Sequence, residues 1–265
     1  MRDEMMATLR IYKWPSQAFW RCFEVEALRA VPCERPILEI GCGDGRFSSL
    51  VFPEIDEAID VNPHAVERCR RLSGNLYRRV RCLDARELQW QDGGFATVYA
   101  NCVLEHVPDL SRVLAGCFRG LRPGGKLVVT VPLVRMNEHL LFPWRWYTRL
   151  RQQQLAHINL LSETAWDDLL RQIGFAQVEF RSYLSAEACR FWDTLDGPGC
   201  IGFGRYRLAT ALGRLADGLL PKRPKDWLMN WLASRLAAKA EAEREKQPAC
   251  AVVVIASKSS QEAMR

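Results

Sequence analysis

The sequence lacks the patterns that mark membrane spans, secretion signals and structural zinc sites. No uncharged run approaches the roughly 20 residues that a membrane-spanning helix needs, and the amino-terminal residues contain no apolar signal-peptide core. The ten cysteines include no Cys-x-x-Cys pair, and no Cys/His cluster has the spacing of a zinc site. We therefore expect a cytoplasmic protein that holds no metal and keeps its cysteines reduced.

The composition is typical of a globular protein, and the length fits one main domain with a small appendage. The chain has 265 residues, of which 48% are hydrophobic and 26% are charged, so it can build a sizeable core. The net charge of +6 is compatible with an acidic partner or a membrane surface but requires neither. Because the basic residues form no long continuous stripe, we expect no nucleic-acid partner.

The most informative stretch is a glycine turn that follows a short apolar run. The run Ile37–Ile40 predicts a buried strand, and the apolar residues from Phe47 to Phe52 predict a helix after the turn. Glycine permits the positive φ and the close backbone approach that a nucleotide cradle requires. A dinucleotide fingerprint needs glycine where Arg46 stands, which disfavours nicotinamide-dependent oxidoreduction. The turn contains Gly41, Gly43 and Gly45.

Three stretches together carry a family resemblance. Glu39 precedes the first glycine by two residues, and the resulting Glu-x-Gly-x-Gly-x-Gly suits a ligand with an ammonium group. In this form the chain resembles the class I S-adenosylmethionine-dependent methyltransferases. The string Leu104-Glu-His-Val107, which methyltransferases of quinones and small metabolites also carry, and the turn Leu-Arg-Pro-Gly-Gly-Lys at 121–126 extend the resemblance. One departure is Ala96, where relatives usually have an acid.

Acidic residues end two of the predicted strands. Asp60 lies near the end of a strand at 57–61, where an α/β sheet presents a carboxylate to two ribose hydroxyls. Asp84 follows a strand at 80–83, and the resemblance implies that it binds the adenine amino group while the adjacent backbone meets a ring nitrogen. The residues predicted to bind S-adenosylmethionine, the methyl donor, are Glu39, Gly41, Cys42, Gly43, Gly45, Asp60, Val61, Asp84, Ala85 and Asn101.

Histidine is the candidate general base. A base is needed only when the acceptor, the molecule that receives the methyl group, must lose a proton. His106 follows a predicted strand at 95–100. Histidine has a side-chain pKa near neutral pH, which suits a general base. A structural role at the start of a helix is an equal alternative. His157 is the second candidate, and Glu138 and His139 are weaker ones. We expect methylation, most simply O-methylation, of a small metabolite, lipid-linked or sugar acceptor. RNA methylation and donor binding without turnover are the alternatives.

The order of predicted elements indicates a Rossmann-like, doubly wound α/β fold. Further strands at 126–131, 175–181 and 251–255 make a seven-stranded, mostly parallel sheet with helical insertions; helices are predicted at 16–30, 108–121 and after Ser162. The predicted domains are an amino-terminal helical cap at 1–35, the core at 36–184, a helical insertion at 185–248, and the last strand and tail at 249–265.

Two segments exceed the usual length of connections in this fold. The segment 133–161 mixes Phe142, Trp144, Trp146 and Tyr147 with arginines, and we predict that it builds the acceptor pocket. In 185–248 the apolar spacing predicts amphipathic helices over 203–219 and 227–236. This insertion is interpreted as a cap over the acceptor, a homodimer contact, or a peripheral membrane contact through 203–236.

Overall fold

A computed structural model of the chain describes residues 1–12, 14–88, 93–200, 202–203, 206–207, 222–243 and 248–260. Its helices are α1 (Arg2–Tyr12), α2 (Pro15–Arg29), α3 (Pro63–Leu72), α4 (Leu110–Gly120), α5 (Arg145–Leu155), α6 (Glu163–Ile173), α7 (Ala186–Cys200) and α8 (Lys222–Glu243). The strands are β1 (Ile37–Ile40), β2 (Ile55–Asp60), β3 (Tyr77–Cys82), β4 (Phe95–Asn101), β5 (Leu121–Pro132), β6 (Gln177–Ser185), β7 (Gly202–Phe203), β8 (Tyr206–Arg207) and β9 (Ala249–Ser257).

The seven-stranded sheet has the strand order β3-β2-β1-β4-β5-β9-β6, which confirms the predicted α/β fold. The pairs β3–β2, β2–β1, β1–β4 and β4–β5 are parallel, and β9 runs antiparallel to β5. Because β1 has β2 on one side and β4 on the other, the strand order reverses at β1. In open α/β sheets such a reversal leaves a crevice at the carboxyl ends of the strands, where ligands bind.

Local signals in the sequence correctly locate the helices that flank these strands. The side chain of Asn62 caps α3 by accepting a hydrogen bond from the backbone N–H of His64, at 2.9 Å. Ser162 caps α6 by accepting from the backbone N–H of Ala165, at 3.1 Å. The predicted apolar stripe of α4 is buried, which fixes the helix against the core. Its buried members include Leu110, Val113, Leu114 and Cys117.

Two predicted helices differ from the structure. The helix expected after the glycine turn is only a 3-10 turn at Ser48–Leu50, because Pro53 lies close behind it and disfavours helical geometry in the residue before it. In the expected helix over 203–219, Phe203 and Tyr206 instead pair as neighbouring antiparallel strands. Gly202, next to Phe203, lowers helix propensity at this point. The rest of that predicted helix lies outside the described residues.

The chain divides into two compact units, one containing most of the sheet. This sheet unit comprises 28–134, 156–182 and 251–265. The helical unit joins three separate segments, 1–27, 135–155 and 183–250, and within it α1 packs against α8. Among the described helices, none combines the length and the apolar character required to cross a bilayer. Much of the predicted membrane contact at 203–236 lies outside the described residues.

Candidate active site

A cavity of about 300 Å³ lies in the sheet unit at the carboxyl ends of β1 to β4. This volume lies at the lower end of the usual range for small-molecule sites. Several further wall residues could not be predicted from the sequence, because nothing in their type marks them as ligand contacts. From the predicted site, the wall includes Gly41, Asp60, Val61, Asp84, Ala85 and His106; the unpredicted wall residues include Arg86, Cys102, Val103, Val107 and Pro108.

The glycine turn is closely packed on one side and open on another. A Cβ added at Gly41 would overlap the side chain of Val103, and one at Gly45 would come within 2.8 Å of Ser73 and Tyr77. Both glycines have positive φ, at 73° and 75°, so the backbone conformation also favours glycine. A Cβ at Gly43 would meet nothing within 4 Å. The turn therefore leaves open space beside Gly43 for a close ligand.

Asp60 links the glycine turn to the start of α3. Its Oδ2 accepts a hydrogen bond from the backbone N–H of Gly43, and its Oδ1 accepts one from the backbone N–H of Asn62, both at 2.9 Å. These bonds fix the orientation of the carboxylate at the cavity wall. Each carboxylate oxygen has a second lone pair, so Asp60 can still accept hydrogen bonds from a ligand diol.

Asp84 lies at the same wall beside an arginine that sequence analysis missed. Its carboxylate accepts hydrogen bonds from the backbone N–H of Arg86 at 2.8 Å and from the guanidinium Nη2 at 2.6 Å. These bonds lower the pKa of Asp84, so the side chain is ionised at neutral pH. Asp84 therefore presents an acceptor-only group beside the cavity, as the predicted contact with an exocyclic amine requires.

An exposed apolar side chain lies in the sequence between these two acids. Val61 follows Asp60, lines the cavity, and has 66% of its surface exposed. A flat apolar ring can cover this surface while its polar edge meets Asp84. Together the glycine turn, the diol acceptor Asp60, the apolar Val61 and the amine acceptor Asp84 fit an adenosyl group.

Five residues predicted to contact the methyl donor are not among those that line this cavity: Glu39, Cys42, Gly43, Gly45 and Asn101. Glu39 is buried, its Oε1 accepting from the hydroxyl of Ser48 at 2.6 Å and its Oε2 from that of Tyr77 at 2.7 Å. Burial raises the pKa of Glu39 to about 7 in spite of these bonds. The side chain of Cys42 packs in the core. The side chain of Asn101 accepts from Thr130 at 2.7 Å.

The raised pKa of Glu39 has a measurable effect on stability. Glu39 binds its proton more tightly in the folded chain than in the unfolded chain, whose value is near 4.5. The free energy of unfolding should therefore fall by roughly 3 kcal/mol as the pH rises from about 4.5 to about 7. Glu39→Gln has no proton to lose there and should remove this fall, as urea denaturation across the interval can measure. The exposed Glu67→Gln is the control; equal slopes in all three proteins would contradict the assignment.

His106 has a defined ring tautomer. Its Nδ1 lies 2.9 Å from the carbonyl oxygen of Ala156. A carbonyl oxygen can only accept, so Nδ1 carries the hydrogen and Nε2 carries the lone pair. The ring is 40% exposed and lines the cavity. A neutral imidazole held in this tautomer is equipped to take a proton through Nε2.

His157, the second predicted base, lies beside His106. The two ring centroids are 5.3 Å apart. The segment that carries His157 is bound to the Leu104–His106 turn through Ile158 and Asn159, whose backbone N–H groups donate to the carbonyl oxygen of Glu105 at 2.7 and 3.0 Å. The structure therefore brings both predicted histidines together at one edge of the sheet unit. Glu138 and His139, the weaker candidates, belong to the helical unit.

Asn159 is a positioning residue that sequence analysis missed. Its side-chain amide donates to the carbonyl oxygens of Leu104 and Val107, at 2.9 and 2.7 Å. No motif marks this asparagine, because its partners lie more than fifty residues earlier in the chain. It holds the backbone on both sides of His106.

Removing the Asn159 amide should loosen the backbone from Leu104 to Val107 while leaving Asp60 and Asp84 in place. We expect Asn159→Ala to lower the free energy of unfolding by roughly 2 kcal/mol, because the carbonyls of Leu104 and Val107 each lose a hydrogen bond from the amide. Calorimetry should find donor binding unchanged, since Asp60 and Asp84 do not contact Asn159. Asn137→Ala removes an amide hydrogen bond to Gln152 in the helical unit and serves as the control. Donor affinity that fell in step with stability would argue against a local role.

Glu105, His106 and His157 also form a set that could hold a divalent cation. One ligand atom from each lies within 4.8 Å of the others, and Glu105 is only 1% exposed. Two histidines and one carboxylate are a ligand set that catalytic zinc uses. The sequence spacing gave no sign of this set, because His157 is distant in the chain. A cation on Nε2 of His106 would occupy the lone pair that a base needs.

More than half of the chain is similar to a known protein family. The family model described as "Methyltransferase domain" matches residues 23–179. The malonyl-[acyl-carrier protein] O-methyltransferase of Paenibacillus sp. (strain JDR-2) is 26% identical over 161 residues, covering 57% of this chain and 58% of that protein. The ubiquinone biosynthesis O-methyltransferase of Xanthomonas oryzae pv. oryzae is 33% identical over 99 residues, covering 36% of this chain and 41% of its own.

Similarity to solved structures extends over most of the chain. A Thermotoga maritima structure described as a "SAM-dependent methyltransferase, possible histamine N-methyltransferase" superposes with a TM-score of 0.59 at 17% identity, covering 96% of this chain and 99% of that one. At this identity the likeness shows the fold alone. Among the first curated relatives, this chain spans between 33% and 58% of the relative's length.

Proposed function

Because the chain belongs to the methyltransferase-domain family, we propose that it transfers a methyl group from S-adenosylmethionine to a hydroxyl oxygen. The acceptor is a small metabolite, a lipid-linked molecule or a sugar. One observation carries the proposal: His106, at the cavity wall, is held in the tautomer that leaves its Nε2 able to accept a proton. A hydroxyl is a weak nucleophile until it loses its proton, whereas a neutral amine already has a lone pair.

The residues of the cavity have two proposed roles, which are to bind the methyl donor and to accept a proton from the acceptor. When bound, S-adenosylmethionine supplies a methyl group on a sulfonium, and the sulfur leaves as a neutral thioether. The glycine turn, Asp60 and Asp84 would hold the ribose and adenine of the bound donor, so methyl transfer would benefit from fixed positioning. Nε2 of His106 would take the proton of the acceptor hydroxyl, which would leave that oxygen able to receive the methyl group. The carbonyl of Ala156 stabilises the resulting imidazolium through Nδ1–H.

The names of the relatives support oxygen as the methylated atom. Both relatives described above are O-methyltransferases. Methylation of RNA remains the principal alternative within the same chemistry, and donor binding without turnover is the alternative outside it. The name of the Thermotoga structure mentions nitrogen methylation, but that likeness is one of fold.

Labelled donor separates these possibilities. The protein is incubated with S-adenosylmethionine carrying a labelled methyl group, together with a metabolite and lipid extract or with total RNA. We expect label in an organic-soluble product that alkaline hydrolysis or mass spectrometry identifies as an O-methyl compound. Label only in RNA would establish the alternative acceptor. Donor binding by calorimetry with no transfer to either fraction would favour the non-catalytic role.

A further inference from the structure

The helical unit exposes a compact group of aromatic side chains at the start of α5. Five consecutive residues, 142–146, are exposed, and three of them are aromatic. Phe142 is 40% exposed, Trp144 54% and Trp146 60%; Leu150, further along α5, adds a side chain that is 42% exposed. Single exposed apolar residues are ordinary, whereas a contiguous apolar group of this kind marks an interaction surface. We call Phe142, Trp144, Trp146 and Leu150 the aromatic patch.

The exposure of this patch follows from the way α5 is oriented. Side chains four residues apart share a helix face. The stripe of Tyr147 and Arg151 is buried, while the adjacent stripe of Trp146 and Leu150 is exposed. A surface helix normally turns its apolar stripe toward the core and its charged stripe toward solvent. In α5 a buried arginine takes the inward position and a tryptophan the outward one.

A buried polar network holds this orientation. The guanidinium of Arg151 donates through Nε to Asp193 at 2.7 Å and through Nη2 to Asp196 at 2.6 Å. The hydroxyl of Tyr147 donates to the same Asp193 carboxylate at 2.7 Å. The ring of Tyr147 then packs edge-on against Phe142 at 5.3 Å and Trp146 at 5.7 Å. Buried, fully paired networks of this kind fix one arrangement of their side chains. The network of Arg151 and Tyr147 therefore keeps the aromatic patch on the exposed side of α5.

The charge beside the patch is positive. Arg145 and Arg149, one helical turn apart, are both exposed on α5. Neither forms an ion pair within the described part of the chain, and the sequence has no acidic residue between Glu138 and Glu163. Tryptophan and arginine together are the residues that occupy the headgroup region of a bilayer. We propose that the aromatic patch, with Arg145 and Arg149, docks the protein on an anionic lipid bilayer.

Two other occupants fit the same surface less well. Phe142 and Trp144 already stack on one another, with ring planes 15° apart and centroids separated by 5.0 Å, and Trp146 lies 5.9 Å from Trp144. Base stacking in single-stranded nucleic acid needs an open ring face at each aromatic residue. A second copy of the chain, related by a two-fold axis through the patch, would bring the arginine pairs together, and like charges oppose that contact.

Co-sedimentation with vesicles tests the proposal on the full chain, without donor or acceptor, so its outcome is independent of the proposed function. Wild-type protein should bind phosphatidylcholine vesicles containing phosphatidylglycerol and should bind pure phosphatidylcholine much more weakly. Arg145→Gln with Arg149→Gln should weaken binding to the anionic vesicles by about 30-fold, the factor that two surface arginines supply there. Trp144→Ala with Trp146→Ala should weaken binding to both vesicle types by at least about 10-fold.

The control removes a similar pair of exposed side chains elsewhere. Arg71→Gln with Leu72→Ala changes one charge and one exposed apolar residue at the end of α3 and should bind as wild type does. Circular dichroism verifies that each variant is folded. The proposal is overturned if wild-type protein ignores anionic vesicles, or if the tryptophan variant binds them unchanged. It is also overturned if the wild-type protein does not bind vesicles and the tryptophan substitutions instead abolish binding to RNA or dimerisation.

Discussion

Replacing Asp60 by asparagine should weaken binding of S-adenosylmethionine by about 100-fold or more, as isothermal calorimetry can measure. Both carboxylate oxygens already accept backbone hydrogen bonds, one from Gly43 and one from Asn62. Asparagine offers one oxygen and one amide nitrogen, so one of these N–H groups would face another donor. The substitution therefore loses the acceptor for the ribose hydroxyls and also displaces the glycine turn.

Asp56→Asn provides a matched control within the same strand. Asp56 lies near the opposite end of β2, where its carboxylate pairs with Arg35 and accepts from the backbone N–H of Ile37. This variant loses the same charge from the same strand, but far from the cavity. We expect it to lose stability and to retain donor affinity. Should the two variants bind the donor equally well, the assignment of Asp60 to the ribose is wrong.

Replacing His106 by glutamine should lower the rate of methyl transfer by about 100-fold to 10,000-fold, the usual contribution of a positioned general base. Donor affinity should change little, because the residues that hold the adenosyl group are untouched. The assay uses the product identified with labelled donor, at saturating donor and acceptor. His64→Gln removes an exposed histidine on α3 and should leave the rate unchanged.

A chelator distinguishes the two roles open to His106. If Nε2 accepts the proton, treatment with EDTA leaves the wild-type rate unchanged. If Glu105, His106 and His157 hold a divalent cation, the chelator removes the activity and a divalent ion restores it. A rate that His106→Gln leaves intact would contradict oxygen methylation through this base and would favour an acceptor that needs no deprotonation.

The sheet and the placement of Gly41, Asp60 and Asp84 beside one cavity could be predicted because their signals are local. A proline-led apolar run, a glycine turn and an acid at a strand end each occupy a few adjacent residues. The parallel pairing of β1, β2 and β3 then brings Gly41, Asp60 and Asp84 to one edge. No longer-range information is needed to place these groups beside one cavity.

The role of Glu39 could not be predicted from its spacing to the glycines. Its motif position suggests a ligand contact, but its side chain accepts from Ser48 and Tyr77, and Tyr77 is 38 residues away in the sequence. Similarly, no sequence pattern around His106 predicts that His157 and Asn159 lie beside it in the fold. The direction of Trp146 depends on the pairing of Arg151 with Asp193, a contact across 42 residues. Side-chain partners that distant are decided by tertiary packing.

The packing of α1 against α8 bears on how the helical unit assembles during synthesis. The helix Arg2–Tyr12 is made before its partner, Lys222–Glu243, which follows more than two hundred residues later. Until then Met5 and Leu9, both buried in the finished protein, have no α8 to pack against. Contacts of such long sequence separation form slowly. The nascent chain therefore carries the apolar side of α1 without its α8 partner while the intervening residues are made, and exposed apolar surface of this kind favours aggregation.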